Sequence, residues 1–593
     1  MRISGILRSK TKIGKRENGI SSGQGRMRML SAVVFFAGAI LIFRLYFIQV
    51  ASHAKWIAMA ENQHSAFQEL AADRGEIYIH DGETRYPLAV NREYQMVFVS
   101  PKDVSEKDRA ALELSRILGI DAGEIQDKLN RPDDPFEIIK KHLNDDEVEQ
   151  VKELNLKGVA LLPEKYRYYP AGELASQVVG FASLGERAGA GGYGIESSED
   201  ERLRGRGGTV SQEKDAGGRW LPLSDRNVVL PKNGDSLVLT IDRVIQYETE
   251  KILAGSVEKY QADSATAIVM DPKTGNILSM ASFPQFDPNN YAQVEDYSVF
   301  MNSAVSTAYE PGSVMKPLVM AMGIEEGKVT PQSEYIDTGS VSEAGYTIRN
   351  SEDKVYGKSS MTKVLEQSIN TGVIYVEKLL GNKTFGDYFA RFGFGERTGI
   401  GLPAELAGNT KNLSNARSTI SFFTAAFGQG VTATPLQMIS AYAVLANGGT
   451  LYKPHIIDTV IRADGSEEKI QPERVRQVVS AETSRTMGQM LRSVVVNGHG
   501  KRADVPGYQV GGKTGTAQVA KNDAKGYQAD VSIGSFIGYA PLDDPRFAVL
   551  VKLDNPKNVE WAESSAAPTF GEIMKFLLEY AKIKPTEAVP SKP

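Results

Sequence analysis

The chain has 593 residues, of which 41% are hydrophobic and 24% charged, with a formal net charge of −5 and no cysteine. That length exceeds one ordinary domain and suggests about three to four units, and the mild acidity gives no support for a nucleic-acid partner. Without cysteine there is no disulfide, thiol nucleophile or cysteine-bound metal, and six histidines without a His-Glu-x-x-His spacing argue against a zinc hydrolase.

The N-terminus is basic. Arg2, Arg8, Lys10, Lys12, Lys15, Arg16, Arg26 and Arg28 face one acid, Glu17, so residues 1–27 read as a short disordered cytoplasmic tail. An apolar run follows from Met29 through Phe43 and, past Arg44, to Val50. A bilayer core needs about 20 apolar residues, so 28–50 is expected to cross a membrane once. The preceding positive charge keeps the N-terminus in the cytoplasm and sends the remainder out. Ser52-His-Ala54 could serve as a signal-peptidase site, but the run is long for a cleaved leader and an uncleaved anchor is expected.

Residues 51–230 read as a non-catalytic pedestal: a strand at Gln95–Ser100, helical patterns over 105–155 and a Gly-rich stretch from Gly180 to Gly208. A second domain is expected over 231–583. Leu237–Asp242 is strand-like and leads into a helical pattern reaching Tyr260. Two apolar runs flank Asp271-Pro-Lys-Thr-Gly275, which predicts a hairpin with Gly275 at positive φ. A helical, loop-rich middle occupies 300–500, then strands return at Gly511–Ala520, Val531–Tyr539 and Phe547–Leu553. An amphipathic helix spans about Ala567–Lys582, and 584–593 is a loose Pro-rich tail. The layout predicts an α/β (α+β) domain whose largely antiparallel sheet comes from both ends of the segment.

Three short motifs carry chemistry when taken as a set: Ser313-Val-Met-Lys316, Ser368-Ile-Asn370 and Lys513-Thr-Gly515. Each alone is weak. Ser-x-x-Lys also occurs at Ser9/Lys12, Ser211/Lys214 and Ser360/Lys363, and Lys273-Thr-Gly275 belongs to the hairpin. Ser368-Ile-Asn370 alone could be a turn and cap. Context favours Ser313: it follows the turn Tyr309-Glu-Pro-Gly312 and precedes the apolar Leu318–Met322. A helix starting at about Ser313 puts Lys316 on the same face, and Pro317 is tolerated only in its first turn. The glycines around Lys513 argue for close backbone approach.

With those motifs the chain resembles the class B penicillin-binding proteins, single-pass membrane transpeptidases of peptidoglycan synthesis. Glu310–Pro317 resembles the family's nucleophile segment and Gly511–Ala517 its third motif. Phe392-Gly-Phe-Gly395, Gly428-Gln-Gly430 with Thr434-Pro-Leu-Gln437, and Ala446-Asn-Gly-Gly449 are similar to landmarks between the second and third motifs. In the pedestal, Arg74-Gly75, Arg167-Tyr-Tyr-Pro-x-Gly172 and Gly194-Ile-Glu196 are similar too, whereas Glu76-Ile-Tyr-Ile-His-Asp-Gly82 departs from the family pattern and puts local packing there in doubt. The resemblance implies a penicillin-binding transpeptidase fold with an antiparallel sheet flanked by helices, preceded by an elongated, dimerisation-like pedestal and one transmembrane helix. Asn370 at the end of the second motif resembles the division-type branch and implies a septal role.

The resemblance also implies site roles. Ser313 is the nucleophile, Lys316 its base, Ser368 a proton relay, and Asn370 a holder of Lys316 and of the substrate amide. Lys513, Thr514 and Thr516, with Gly515 between them, bind the terminal carboxylate. The implied substrates are peptidoglycan stem peptides ending in D-Ala-D-Ala, with β-lactams as mimics. No cofactor or metal is expected, and no C-terminal repeat module or glycosyltransferase signature is read. The implied partners are the membrane, a polytopic SEDS-type glycosyltransferase and other division proteins, and no nucleic acid. A D,D-carboxypeptidase or β-lactamase, which needs water to deacylate Ser313, is the enzymatic alternative; no second carboxylate is recognisable for that task, though the unaligned sequence leaves room for one, and a catalytically idle division scaffold is the alternative of another class.

Overall fold

The computed structural model describes residues 22–53, 65–131, 136–183, 191–213, 227–415, 417–520, 526–557, 559 and 561–587. Residues 1–21 of the expected cytoplasmic tail, Ala54 of the possible cleavage site, 184–190 of the Gly-rich stretch and 588–593 of the final tail lie outside the described residues. The chain divides into two compact units, one made of residues up to 71 with 207–231, the other of 72–206 with 232–593.

In the first unit, helix α1 (Ser22–Tyr46) runs on as a π-helical turn, Phe47–Ala51. It begins inside the segment expected to be disordered tail, because Ser22–Arg28 simply extends the ladder of the apolar run. Over Gly25–Ala51 it is long and apolar enough to cross a bilayer, and its apolar side chains, Phe35 and Phe36 among them, are exposed. Strands Ser65–Leu70, Gly208–Glu213 and Asn227–Val229 form an antiparallel sheet in the same unit.

In the second unit, seven strands from both sides of the expected boundary at 231 share one sheet: 467–469, 457–461, 236–242, 77–81, 84–99 and 137–143 in order, with 159–168 also paired to 84–99. The departing segment Glu76–Gly82 makes its own hairpin with Thr84–Val99, turning at Gly82, and lies parallel to Ser236–Asp242 with Ile77 and Ile79 fully buried. The expected strand at 95–100 is thus the end of a 16-residue strand. Helices Lys107–Leu118, Ala122–Leu129 and Asp145–Leu154 answer the helical patterns, but strand Glu137–Leu143 interrupts them. Nearby, Glu196 is fully buried and accepts from Arg74 Nε and Arg167 Nε, each at 2.6 Å, while Arg74 Nη1 reaches Asp200 at 2.7 Å.

The part that positions the site starts with α2 (Arg243–Tyr260), capped by Asp242, whose carboxylate accepts from the amides of Val244 and Ile245. Strands β1 (Ser264–Met270) and β2 (Ile277–Phe283) flank the Asp271–Gly275 turn, with Gly275 at φ +81°. They join β3 (Gly511–Ala520), β4 (Tyr527–Ala540) and β5 (Phe547–Asp554) in an antiparallel sheet of order β2-β1-β5-β4-β3, built from both ends of the segment. Both faces are covered, so β5 is apolar without a break from Phe547 to Val551. Ile268, Ile537 and Leu550 point into a core shared with the helical insertion. Val269, Phe536 and Val549 point into a second core with α2 and the last helix, Ala566–Tyr580.

Replacing Glu196 with alanine removes the carboxylate that two buried guanidinium groups share, and breaking a buried ion pair from one side costs about 3–5 kcal/mol. The expected result is a lower urea midpoint for the detergent-solubilised chain; an unchanged midpoint would show that the cluster carries no stability.

Candidate active site

Ser313 lies in a single 3-10 turn, Gly312–Met315, at the entrance of α3 (Lys316–Glu325). The α-helix proper starts at Lys316 rather than at about Ser313. Pro317 gives the reason: lacking an amide proton, it fits only the first turn of the helix. The turn is clamped by backbone. Gly312 N donates to Gly428 O at 3.0 Å, and Tyr442 Oη donates to Val314 O at 2.7 Å. Gly428 has φ +80°, and a Cβ there would stand 2.2 Å from Gly312 O. From the other side β3 presses on the same turn: a Cβ on Gly515 would meet Pro311 O and Val314 Cγ1, each at 2.9 Å.

Lys316 is fully buried. Its Nζ bonds the Ser368 carbonyl oxygen, lies 3.1 Å from Ser368 Oγ, and donates to Asn370 Oδ1 at 2.8 Å. The nitrogen is thus directed at the second motif rather than at the Ser313 hydroxyl. Burial holds the Lys316 amine well below the usual lysine range, and the positive charge of Lys513 pushes the same way. Ser368 stands at φ +56°, a left-handed conformation rare for serine, and such strain is kept where surrounding structure imposes it. The next element, α4 (Asn370–Leu380), starts at Asn370, whose Nδ2 donates to Arg349 O at 2.9 Å. A buried cluster fixes this loop: Thr371 Oγ1 donates to Asp337 Oδ1 at 2.6 Å, and Asn350 Nδ2 to both Asp337 oxygens.

Lys513 enters from β3, opposite Ile537, and is also fully buried. Its Nζ reaches Thr514 O at 3.0 Å and Thr514 Oγ1 at 3.2 Å. Burial pushes the Lys513 amine down to about 7, while the Glu563 carboxylate pulls it back up. A groove of about 860 Å³ opens above, lined by Ser313, Asn370, Thr516, Gln429, Arg349 and Trp561 among others. A smaller cavity of about 260 Å³ also reaches Ser313 and is lined by Ser368, Thr514 and Thr516. The eight expected site residues therefore share one locality: five line the space, two lysines lie buried at its base, and Gly515 seats the turn.

Other groups were not legible as site residues. Glu310 accepts from Gly430 N at 2.8 Å and from Tyr527 Oη at 3.1 Å, which ties β4 to the nucleophile turn, and burial raises its pKa. His499 and Glu563 pair at 2.7 Å on the rim of the smaller cavity. Neither belongs to a spaced motif; only the fold brings positions 499 and 563 beside 313.

The family model described as the penicillin binding protein transpeptidase domain matches residues 265–575, and that for the penicillin-binding protein dimerisation domain matches 69–239. The chain is 34% identical to stage V sporulation protein D of Bacillus subtilis (strain 168), over 95% of this chain and 88% of that protein. It is 29% identical to the peptidoglycan D,D-transpeptidase FtsI of Escherichia coli (strain K12), over 94% and 92%. Among solved structures, penicillin binding protein 3 from Mycobacterium tuberculosis complexed with aztreonam superposes with a TM-score of 0.68 at 28% identity, covering 89% of this chain and all of that one.

The close approach at Gly428 yields a test. Gly428→Ala forces the Gly312 carbonyl away and places a Cβ at positive φ, at a cost of about 1–2 kcal/mol for the conformation alone. The rate of Ser313 labelling by a fluorescent penicillin is expected to fall about tenfold or more, with only a small change in unfolding midpoint. Labelling at the wild-type rate would mean that the clamp does not position Ser313.

Proposed function

The chain belongs to the penicillin-binding proteins with transpeptidase and dimerisation domains, and we propose that it cross-links peptidoglycan stem peptides as a serine-type D,D-transpeptidase. The observation that carries this reading is the convergence of Ser313, Ser368, Asn370 and Thr516 on two cavities that meet at Ser313, beside two buried lysines.

An alcohol needs a base to become a nucleophile at neutral pH. Lys316 supplies one because burial favours its neutral form. A neutral amine has two N–H groups and one lone pair. Two of its three contacts use the protons, and the lone pair can take a proton from a hydroxyl. In the proposed cycle Ser313 Oγ attacks the carbonyl of the penultimate D-alanine, and its proton passes to Lys316 Nζ once the amine turns from the Ser368 hydroxyl toward Ser313. Backbone amides of Ser313 and Thr516 hold the oxyanion, each such donor contributing on the order of 3 kcal/mol. Collapse breaks the amide C–N bond, and the leaving nitrogen is protonated from Lys316 through the Ser368 hydroxyl. Asn370 orients Lys316 and holds the substrate amide. Lys513, Thr514 and Thr516 bind the terminal carboxylate. An amine from a neighbouring stem then attacks the Ser313 ester, re-forming an amide and freeing the serine. β-Lactams acylate Ser313 as mimics of the D-Ala-D-Ala end. A hydrolase is the less favoured reading, since the nearby Glu310 carboxylate is engaged by Gly430 N and Tyr527 Oη.

The apolar helix near the N-terminus, long enough to cross a bilayer, supports a membrane-anchored protein. The basic residues before the helix support a cytoplasmic N-terminus and an extracytoplasmic catalytic domain. Asn370 in the second motif, and relatives named for sporulation and for FtsI, support septal wall synthesis beside a SEDS-type glycosyltransferase and other division proteins. Residues 51–230 act as pedestal and 231–583 as the transpeptidase domain on this reading.

Two measurements test it. Wild-type protein is expected to take one covalent fluorescent penicillin and to form cross-links from a pentapeptide polymer, and Ser313→Ala is expected to do neither; labelling of the Ala variant would sink the assignment. The second concerns Lys513, whose charge is present below about pH 7 and lost above it. Acylation by a carboxylate-bearing penicillin is therefore expected to decline as pH rises through about 7. In Lys513→Arg, always charged, the rate is lower but that alkaline decline disappears.

A further inference from the structure

Two cavities meet at Ser313, and they differ in chemistry. Asn370 opens into the larger groove, whereas Ser368 opens into the smaller cavity with Thr514, His499 and Glu563. On the function proposed above, the D-alanine nitrogen leaves beside Ser368 and so departs through the smaller cavity. Forming the cross-link is the same step run backwards with a different amine, so the acceptor nitrogen enters by that path. It brings one difficulty that the departing amine did not have. At neutral pH the acceptor arrives as an ammonium ion without a lone pair, and one proton must leave before it can attack. Lys316 cannot be the sink for it. The second proton, released as the new C–N bond forms, is the one that returns through Ser368 and Lys316 to Ser313 Oγ.

The smaller cavity offers a separate proton acceptor. His499 Nδ1 stands 2.7 Å from Glu563 Oε2, and both side chains are 41% exposed. Facing a carboxylate, Nδ1 must be the donor, which leaves the Nε2 lone pair free. The main chain that carries the ring is held in place, since His499 N donates to Glu366 O at 3.3 Å and Gly498 N and Gly500 N both donate to Val494 O, at the end of helix Ala481–Asn497. Glu563 projects from the 3-10 turn Ala562–Ser564, beside Trp561. The other titratable groups around the cavity are Glu352, paired to Lys354 at 2.7 Å, Tyr356, and Lys513 behind Thr514. Lys354 is paired to Glu352, whereas Glu563 has the His499 ring as its hydrogen-bonded partner and acts on Lys354 and Lys513 only through its charge.

We propose that His499 and Glu563 form the acceptor-amine subsite: Glu563 draws in the incoming ammonium, and His499 Nε2 takes the proton it must lose. The step balances, because R–NH3+ becomes R–NH2 as imidazole becomes imidazolium, and the amine then attacks the Ser313 ester. The imidazolium returns its proton to solvent from its exposed edge.

The test separates the two halves of the reaction by loading Ser313 from an N-acyl-D-alanyl thioester and measuring how the acyl-enzyme partitions between hydrolysis and transfer to D-alaninamide. The partition ratio does not depend on how fast the enzyme was acylated. For His499→Gln the ratio of transfer to hydrolysis is expected to fall about tenfold or more at about pH 6.5. At about pH 9 an α-amine that titrates near 8 is already free base, so the variant should recover the wild-type ratio. Glu563→Gln is expected to lower the ratio less, and more visibly at low salt than at high salt. The inference is overturned if His499→Gln partitions like wild type at about pH 6.5, or if its deficit persists at about pH 9, the mark of a merely structural role. If wild type forms no acyl-enzyme from the thioester, or Ser313→Ala still does, the function proposed above fails instead, so the two failures are distinct.

Discussion

A lysine amine kept out of water is the condition on which the rest of this site depends. Lys316 is fully enclosed, so its charged form loses hydration that no carboxylate among the described residues replaces. Each unit by which its pKa falls represents about 1.4 kcal/mol of discrimination against the ammonium. Two features maintain that pressure: the burial of the amine at the head of α3 and the second cation, Lys513, brought in by β3. The Ser368 carbonyl and Asn370 amide oxygens instead fix where the nitrogen points. Burial and the second cation are each ordinary alone. Together they convert a side chain that is usually an acid into a base.

The second requirement is closeness, and glycine meets it. The nucleophile turn lies between β3 and the Gly428 bend, with no side-chain layer on either side. Strand alternation assigns the rest of β3. Lys513 and Gly515 share the face toward the turn and the helical insertion, so the lysine fills the interior while the glycine leaves room for Pro311 and Val314. Thr514 and Thr516 fall on the other parity and line the cavities from β3, the last strand of the sheet: Thr514 is buried beside Lys513 and Thr516 is half-buried. One strand thereby contributes a buried charge and cavity-lining hydroxyls from adjacent positions.

Much of this was legible because it is local. Apolar runs with a turn between them disclosed the β1–β2 hairpin, and the three motifs named residues that the fold does assemble. The start of α3 was misplaced by three positions, since Pro317 constrains the first turn but does not say whether a 3-10 turn precedes it. The sheet joining 77–99 to 236–242 and 457–461 was not legible, as pairing partners so distant leave no periodic trace. The departing segment Glu76–Gly82 shows why a mismatch with family pattern need not harm packing: Ile77 and Ile79 still alternate inward. His499 and Glu563 were invisible for a different reason, because two exposed polar residues 64 positions apart look like any surface pair until something folds them to one rim.

The pedestal landmarks acquire a meaning from where they sit. Gly75 is pressed against the main chain at Asp235, where a Cβ would stand 1.9 Å from the carbonyl oxygen. Leu237 N donates to Glu76 O at 2.8 Å, and the Ser236 hydroxyl accepts from Glu76 N, also at 2.8 Å. The Arg74–Glu196–Arg167 cluster therefore secures the point at which the chain enters strand 236–242. That strand ends at Asp242, the cap of α2, and α2 packs in the same core as the outer face of the catalytic sheet. Across from it, Thr240 N donates to Ile456 O at 2.8 Å, next to the strand that follows the helical insertion. A displacement of the pedestal hairpin thus has a continuous, hydrogen-bonded route into both halves of the catalytic domain. The buried charges of the cluster lie at the start of that route because a hydrogen-bonded ion network fixes direction as well as distance, which apolar packing alone does not.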